Sequence, residues 1–485
     1  MAILLRSLRS RPQGRALLAS LVALTLAGCE VGPDYQAPAA GLTAFHNAPA
    51  VAARPETAPP PLDAWWTGFN DPALTRIVQR ALDQNLDLAA SLARVQQARA
   101  AAEAAGAQLL PTADFDAEAS AQHQSLESPL GKVASSLPGY NRDQRVYDVG
   151  AAASWELDLF GGLRRGTEAA AAEAEAAEAD RLGVRVSVAA DAADAYFQVR
   201  GDQARLAVAH QQIEVDAHLL DLVGQQKSRG IATEREVAQA DALLQQARST
   251  VPPLTIDLEA QLNRLDVLMG AQPGTYAAEL SAPAQIAAIP AIPGGDQPLD
   301  VLRRRPDIVA AERRVAAASA RIGVAVSDYY PKISLSGALG FDSLSANHLF
   351  TATAFEPGVT GALRWRLFDF GKVDAEVASA HGADAEALAR YRQSVLRAAE
   401  DVENAFMGLT QTETRTQQVQ DEVSSLTKAR DLSQQSYAAG VIPLTDVLDA
   451  DRQLLTAQDD LARNRADAAR AEVRSFRALG GGWSV

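Results

Sequence analysis

Apolar and polar residues alternate with period two in four stretches of this chain. Ala113, Phe115, Ala117, Ala119 and Ala121 interleave with Asp114, Asp116, Glu118, Ser120 and Gln122. Tyr147, Val149, Ala151, Ala153, Trp155 and Leu157 interleave with Asp148, Gly150, Ser154, Glu156 and Asp158. Ile333, Leu335, Leu339 and Phe341 alternate with Lys332, Ser334, Ser336 and Gly340; Val359, Leu363, Trp365 and Leu367 alternate with Thr360, Arg364 and Arg366. Successive side chains of a strand point to opposite faces, so the pattern predicts strands over about 112–122, 146–158, 332–341 and 358–368. Each is about ten residues long, the length a tilted strand needs to cross hydrocarbon.

Elsewhere the period is helical. Runs of about seventy residues follow Gly161-Gly162 and Gly371; at 1.5 Å per residue, a helix over 163–229 would measure about 100 Å. In the second run Leu388, Val395, Val402 and Leu409 recur every seven residues, with Tyr391, Ala398 and Ala405 between them, which is a heptad seam. The Ala- and Glu-rich tract Ala169–Ala179 is a strong helix former and reads as a solvated face. Gly230 and Gly440 are placed to end these runs in left-handed geometry. A helix of about forty residues returns from each, giving helical hairpins over 163–270 and 371–480. Pro252-Pro253 is expected to interrupt the first returning helix, because proline removes a hydrogen bond and clashes with the preceding turn. Shorter helices, roughly 71–108 and 299–327, lead to Pro111 and Pro331, where helix gives way to strand.

These elements come twice. Trp155-Glu156-Leu157-Asp158-Leu159-Phe160-Gly161 returns as Trp365-Arg366-Leu367-Phe368-Asp369-Phe370-Gly371, a shift of 210 residues that also carries Gly230 to Gly440 and Gly270 to Gly480. Leu82, Asp87 and Pro111 recur as Leu302, Asp307 and Pro331 at a shift of 220. A unit of about two hundred residues is too long for a solenoid repeat. The chain therefore divides into a first repeat (63–270), a Pro-rich connector (271–298) and a second repeat (299–485).

Four strands with an apolar face fit an antiparallel sheet with one wet side, or a sector of a membrane barrel. Trp155 and Trp365 fall near strand ends on the apolar face, where interfacial aromatics sit, and the polar face carries full charges, as a watery lumen allows. An open edge in lipid leaves backbone groups unsatisfied at several kcal/mol each. A barrel needs at least about eight strands, so the membrane reading requires several chains; strand counting permits a dimer, trimer or tetramer. The connections 123–145 and 342–357 suit surface loops.

At the N-terminus, Arg6, Arg9, Arg11 and Arg15 precede an apolar stretch, Ala16–Ala27, too short to span a bilayer. Residues 1–28 read as a signal peptide. Leu26-Ala27-Gly28-Cys29 resembles a bacterial lipobox, whose Cys is acylated and becomes the new N-terminus, making 29–62 a lipid-anchored segment with palmitate-type lipid on Cys29. Glu30 replaces the Asp of the inner-membrane retention signal, which favours the outer membrane. A single Cys excludes an intramolecular disulfide framework. The net charge of −15 argues against a nucleic-acid surface. No catalytic constellation, metal site or cofactor motif is found: the six His residues are scattered, and His210 and His218 read as solvated. A P-loop motif is absent, so the chain does not energise transport itself. Met269 and Met407, the only Met residues after the first, argue against a Met-lined copper route.

Cys29-Glu30-Val31-Gly32-Pro33-Asp34-Tyr35, Trp65-Trp66, Arg304-Arg305-Pro306-Asp307-Ile308, Tyr330-Pro331 and Asp446-Val447-Leu448-Asp449-Ala450 resemble the motifs of the outer membrane efflux lipoproteins, the OprM/NodT branch of the TolC-like outer membrane factors. The resemblance covers essentially the whole mature chain. It implies a mixed α and β fold: a homotrimeric channel whose outer-membrane barrel, four strands per chain and about twelve in all, continues into a periplasmic α-helical barrel. It also implies a passive exit duct for drugs or other toxic small molecules. An inner-membrane pump, of the resistance-nodulation-division type, would energise it through a periplasmic adaptor (membrane fusion protein). Protein secretion, metal efflux and a non-conducting envelope scaffold are the alternatives.

The same resemblance assigns Arg229-Gly230-Ile231-Ala232 and Ala439-Gly440-Val441-Ile442 to adaptor-contacting tips. Asp446 and Asp449 fall on acidic constriction rings, and Tyr437 and Glu236 on a Tyr–carboxylate link. A basic constriction residue of some relatives corresponds to Ile442, so no charged latch is expected there. Asp446 and Asp449, three apart, share a helix face; three copies would ring the axis with carboxylates and favour cations. The copies differ at Pro252-Pro253, at Asp449 against Gln239, and at Thr233-Glu234-Arg235 against Pro443-Leu444-Thr445, and these differences are where a gate is expected.

Overall fold

Proline and glycine set most element boundaries in the computed structural model, which describes residues 30–39, 43–54, 59–286, 289–292 and 303–484. The signal segment, Cys29 and residues 287–288 and 293–298 of the connector lie outside the described residues. The first repeat runs α1 (Pro72–Gln84), α2 (Leu86–Ala107), β1 (Thr112–His123), β2 (Asp143–Leu157), α3 (Gly162–Ser228) and α4 (Glu234–Leu268). The second runs α5 (Pro306–Ser327), β3 (Lys332–Ser343), β4 (Phe355–Arg364), α6 (Lys372–Ala438) and α7 (Leu444–Ala478). Both α3 and α6 have 67 residues, and both α4 and α7 have 35. None of the described helices is long and apolar enough to cross a membrane.

Three expectations need correction. Pro252 and Pro253 do not break α4, which is continuous through them. Two N–H donors are lost, yet both prolines and residues Arg248 and Ser249, whose carbonyls they would have served, lie on the exposed face where water substitutes. Second, β4 ends at Arg364, not near 368, so Trp365 and Leu367 lie beyond the strand. Third, the Ala169–Ala179 tract is not a solvated face: Ala169, Ala172, Ala176 and Ala179 are all buried, at heptad spacing.

The chain forms two compact units. One comprises the described residues up to Pro38, with Gln96–Glu175 and Arg313–Ala389; the other comprises Ala39–Val95, Ala176–Glu312 and Arg390–Val485. In the first, the strands make one antiparallel sheet in the order β1-β2-β3-β4, so a β2–β3 pairing joins the two repeats. Below the sheet, Ala172 packs on Ala316 and Ala317 of α5. Glu173 pairs with Arg321 at 2.8 Å and Glu175 with Arg313 at 3.2 Å. Alanine faces allow close helix approach, and the glutamates supply the flanking charges.

The second unit holds the main apolar core. Trp65, fully buried, stacks on Phe476 with ring centroids 5.2 Å apart, and Phe69 meets Phe197 at 4.8 Å. Asp71 caps α1 by accepting from the amides of Ala73 and Leu74. Its other carboxylate oxygen accepts from the Tyr196 hydroxyl, to which Arg200 also donates. Burial, chiefly, pushes the Tyr196 phenol up to about 12. Gly201 lets α3 approach α7: a β-carbon there would stand 2.6 Å from that of Ala466. Ion pairs Arg470–Asp194 (2.9 Å) and Arg205–Asp459 (2.8 Å) flank this contact.

Because Trp65 is the largest fully buried side chain, Trp65→Ala should cost about 3–5 kcal/mol and lower the midpoint of thermal unfolding of the purified protein. An unchanged midpoint would contradict this placement of the core.

Candidate functional site

Two surfaces carry features that a core does not need: the free edges of the sheet, and the turns at the ends of the helical hairpins. In the sheet, β1 and β4 are each paired on one side only, and almost every residue of both is exposed. The polar face is acidic across three strands, with Glu118 opposite Asp148 and Asp148 opposite Asp342. On the apolar face, the indole N–H of Trp155 donates to the Leu109 carbonyl at 2.9 Å, and that of Trp365 donates to the Tyr329 carbonyl at 2.9 Å. Both bonds link a strand end to the helix-to-strand junction of its own repeat.

In the second unit the two hairpin turns are built alike. Gly230 and Gly440 adopt φ values of 76° and 72°, which residues with a β-carbon rarely tolerate. The Ile231 amide reaches the Gln226 carbonyl and the Gly230 amide that of Lys227; Val441 reaches Ser436 and Gly440 reaches Tyr437 in the same way. This is the Schellman arrangement, which satisfies the last carbonyls of α3 and α6. It leaves Ile231 and Val441 exposed at the tips, while Ile442 is half-buried and Arg229 is exposed. A small apolar cluster holds the turns together: Leu219, Val223, Ala240, Leu444 and Val447, with Ala232, Val237, Tyr437 and Ile442 packed against it.

The helices that leave the turns start differently. Thr233 and Glu236 form a reciprocal cap on α4: the Glu236 amide donates to the Thr233 hydroxyl, and the Glu236 carboxylate accepts from the Thr233 amide and hydroxyl. These bonds hold the Glu236 carboxyl below its usual pKa. Pro443 stands where Thr233 stands, and Asp446 where Glu236 stands, at the same shift of 210 residues. Proline has no N–H to give, so the Asp446 carboxylate is exposed and receives only a long bond, 3.4 Å, from Thr445.

The sequence expectations fare unevenly here. Asp446 and Asp449 both lie exposed on α7. Asp449, however, pairs with Arg452 at 2.5 Å and accepts from Gln453 at 2.8 Å, so much of its charge is answered locally. Arg452 was legible as the residue three positions on. The Tyr437–Glu236 link is not formed. Tyr437 donates to the Gln226 side chain at 2.7 Å, while Glu236 is occupied by its own cap; Glu236 stays close enough to help burial raise the Tyr437 pKa. His210 and His218 are exposed.

A buried acid pair was missed. Asp216 of α3 and Asp451 of α7 sit in apolar stripes at heptad spacing, among Ala209, Gln212, Leu219 and Val223 and among Leu444, Val447 and Leu454. An acid at a core position of a heptad was the available signal. Gln212 donates to one Asp216 oxygen at 2.8 Å; the other oxygen, and both oxygens of Asp451, have no hydrogen-bond partner. Arg430 lies 3.7 Å from Asp451. Burial, with the Asp451 charge adding to it, pushes the Asp216 carboxyl up to about 6, and burial raises Asp451 as well.

A sequence profile of outer membrane efflux proteins matches residues 77–271 and again 298–481. The pyoverdine export outer membrane protein OpmQ of Pseudomonas putida is 34% identical over 426 residues, 88% of this chain and 89% of that protein. The toluene efflux pump outer membrane protein TtgI, also of Pseudomonas putida, is 31% identical over 471 residues, covering 95% of this chain and 97% of TtgI. Among solved structures, the outer-membrane channel OprN superposes with a TM-score of 0.85 at 35% identity, covering 94% of this chain and 100% of its own.

The buried acids make the hairpin packing sensitive to pH. A carboxyl whose folded pKa is raised binds its proton more tightly in the folded chain. The stability it contributes is therefore greatest below its usual value of 3.8 and is lost as pH rises through about 6. The protection of amides in 209–223 and 444–454, taken relative to the base-catalysed rate of an unfolded amide, should accordingly fall between about pH 4 and about pH 7, and Asp216→Asn should flatten that fall. An unaltered pH profile in the variant would rule out Asp216 as its source.

Proposed function

Because the chain belongs to the outer membrane efflux protein family, as an outer-membrane channel with the TolC-like fold, we propose that three copies close one barrel and form the exit duct of a tripartite efflux system. The observation that carries this is the sheet: four strands with two free edges, and no helix among the described residues long and apolar enough to cross a membrane. Backbone groups at such edges must be paired in hydrocarbon, and strands of neighbouring copies are the natural partners. Twelve strands then form a barrel wide enough for a watery lumen, consistent with the carboxylates on the polar face.

The apolar tips, Ile231 and Val441, with Arg229, Gly230, Gly440 and Ile442 around them, suit contact with a periplasmic adaptor that links the duct to an inner-membrane pump of the resistance-nodulation-division type. The channel carries no energy-coupling motif and works as a passive conduit. Relatives that export pyoverdine and toluene support small organic compounds as its cargo. Lipid on Cys29 would reinforce its place in the outer membrane. The residues that follow are already fastened to the strand-to-helix corner: the Val31 amide donates to the Phe160 carbonyl, and Arg165 pairs with Glu30 at 3.2 Å and Asp34 at 2.7 Å.

For the constriction, the hydrogen bonding favours Asp446 over Asp449 as the acid whose charge is free to act on ions, since Arg452 answers Asp449. Purified protein in planar bilayers should conduct in discrete steps and prefer cations; a scaffold would conduct nothing. Asp446→Ala should lower the cation-to-anion permeability ratio by about twofold or more and relieve block by divalent cations, with a smaller effect from Asp449→Ala. Selectivity untouched by either change would remove both residues from the pore.

A further inference from the structure

The charges of the sheet are sorted by face, with one exception. Glu118, Asp148 and Asp342 lie on the polar face, whereas the apolar face carries no charge from Leu157 and Ile333 as far as Tyr147. Beyond Tyr147 that face holds three ionisable groups in two successive rungs: Arg145, opposite Ala121, and Asp143, opposite His123. Asp143 and His123 form one pair, Nδ1 to Oδ1 at 2.5 Å, which closes the hairpin. Arg145 is exposed and has no hydrogen-bond or ion-pair partner among the described residues. It holds nothing together within the chain.

The cluster stands at a defined depth. Trp155 and Tyr147 share the apolar face of β2, eight residues apart, which is about 27 Å of strand at about 3.4 Å per residue. Tilted by about 35–45°, that stretch rises about 19–22 Å, close to the apolar band of about 25 Å on a membrane barrel. Tyr147 therefore marks the outer limit of the band as Trp155 marks the inner one. Phe341 and Phe355 oppose each other one rung inward of Tyr147, and the β3–β4 connection lays Phe350 5.5 Å from Phe341, which completes an aromatic belt. Arg145 lies two residues, about 7 Å of strand, beyond this belt, at the level of lipid headgroups. The helices extend into the periplasm from the opposite ends of the strands, so these headgroups belong to the outer leaflet.

Resting on the reading that this face meets lipid, we propose that Arg145 and His123 bind a phosphate of the phosphorylated glycolipid that fills the outer leaflet of a bacterial outer membrane. The two residues are diagonal neighbours across the β1–β2 pair, about 7–8 Å apart, so both side chains reach one phosphate. Ala119 and Ala121, the small residues beside them, leave the space between them open. The Arg145 guanidinium offers paired N–H donors to two phosphate oxygens. Asp143 takes the Nδ1 proton of His123, which leaves Nε2 for the ligand, and a phosphate there would hold the second ring proton in place. The Asp143 carboxylate is the one acid on this face of the strands, and His123 answers it. Acyl chains of the same lipid would lie on Val149, Phe341 and Phe350, so one molecule meets both parts of the site.

Titrating the detergent-solubilised protein with diphosphorylated lipid A, and counting bound lipid by native mass spectrometry, tests the site. Arg145→Glu should weaken binding at least about tenfold, Arg145→Gln and His123→Asn about three- to fivefold, and Arg145→Lys should recover most of the loss. Arg364→Gln, which alters an arginine on the polar face of the same sheet, should bind as the unaltered protein does. Dephosphorylated lipid A should bind the unaltered protein no better than the diphosphorylated lipid binds Arg145→Glu. Equal binding of both lipids would overturn the site, as would full binding by Arg145→Glu or, should that variant fail to fold, by Arg145→Gln and His123→Asn. Displacement by millimolar inorganic phosphate would reduce the site to one for free anions and overturn its assignment to lipid. Flotation with phospholipid vesicles separates the two readings. Unaltered protein that does not enter them would overturn the lipid-facing sheet, whereas protein that enters them and ignores the phosphates would overturn this site alone.

Discussion

A β-strand at the edge of a sheet presents a row of N–H and C=O groups, and hydrocarbon offers them no partner. Most of what distinguishes this chain follows from that constraint. Four strands, each about the length that spans a bilayer, cannot satisfy it alone, so β1 and β4 are built as interfaces and not as finished edges. Neither strand contains a lysine, and Pro357 of β4 is the one proline in either. Duplication meets the same constraint, because it supplies two hairpins of corresponding register.

In the helical hairpins of the second unit the two copies share one turn and diverge immediately after it. Glycine in left-handed geometry ends both outgoing helices, but Thr233 caps one return and Pro443 opens the other. A single loss of a backbone donor decides the fate of a carboxylate. Glu236 is turned inward onto its own helix end, while Asp446 is left to the solvent. The exposed acid is thus created by what its neighbour lacks. Asp449, one helical turn further on, is tempered by Arg452.

The repeat, the four strands and the long hairpins were legible because each rests on a short, strict period: two for strands, seven for packed helices, and one long shift for the duplication. What escaped the sequence depended on partners a local pattern does not name. Pro252-Pro253 suggested a break, but whether a helix tolerates proline depends on whether the abandoned carbonyls can reach water, and here Arg248 and Ser249, which carry them, are exposed. Tyr437 and Glu236 matched a motif for a link, yet the Thr233 cap is local, three residues away, and holds the carboxylate where it is. Residues 365–367 alternate like a strand, but no strand of the chain lies beside them and β4 stops at Arg364. Asp216 and Asp451 were the converse case, fully visible in the heptad and passed over because acids on long helices usually face solvent.

The two glycines that face each other across the internal seam have a consequence for how such a ring assembles. Gly150 and Gly340 approach so closely that a β-carbon on either would stand 3.0–3.2 Å from the other's Cα. Glycine contributes almost nothing to recognition, and Asp148 opposite Asp342 in the same seam opposes it. Such a seam succeeds because the chain itself holds its halves together, at an effective concentration of order millimolar. Contacts between separate molecules have no such help and must find one another by diffusion through a crowded envelope. Fusing two repeats thus halves the number of seams that must form between separate molecules, and it relieves alternate seams of the need for chemical identity.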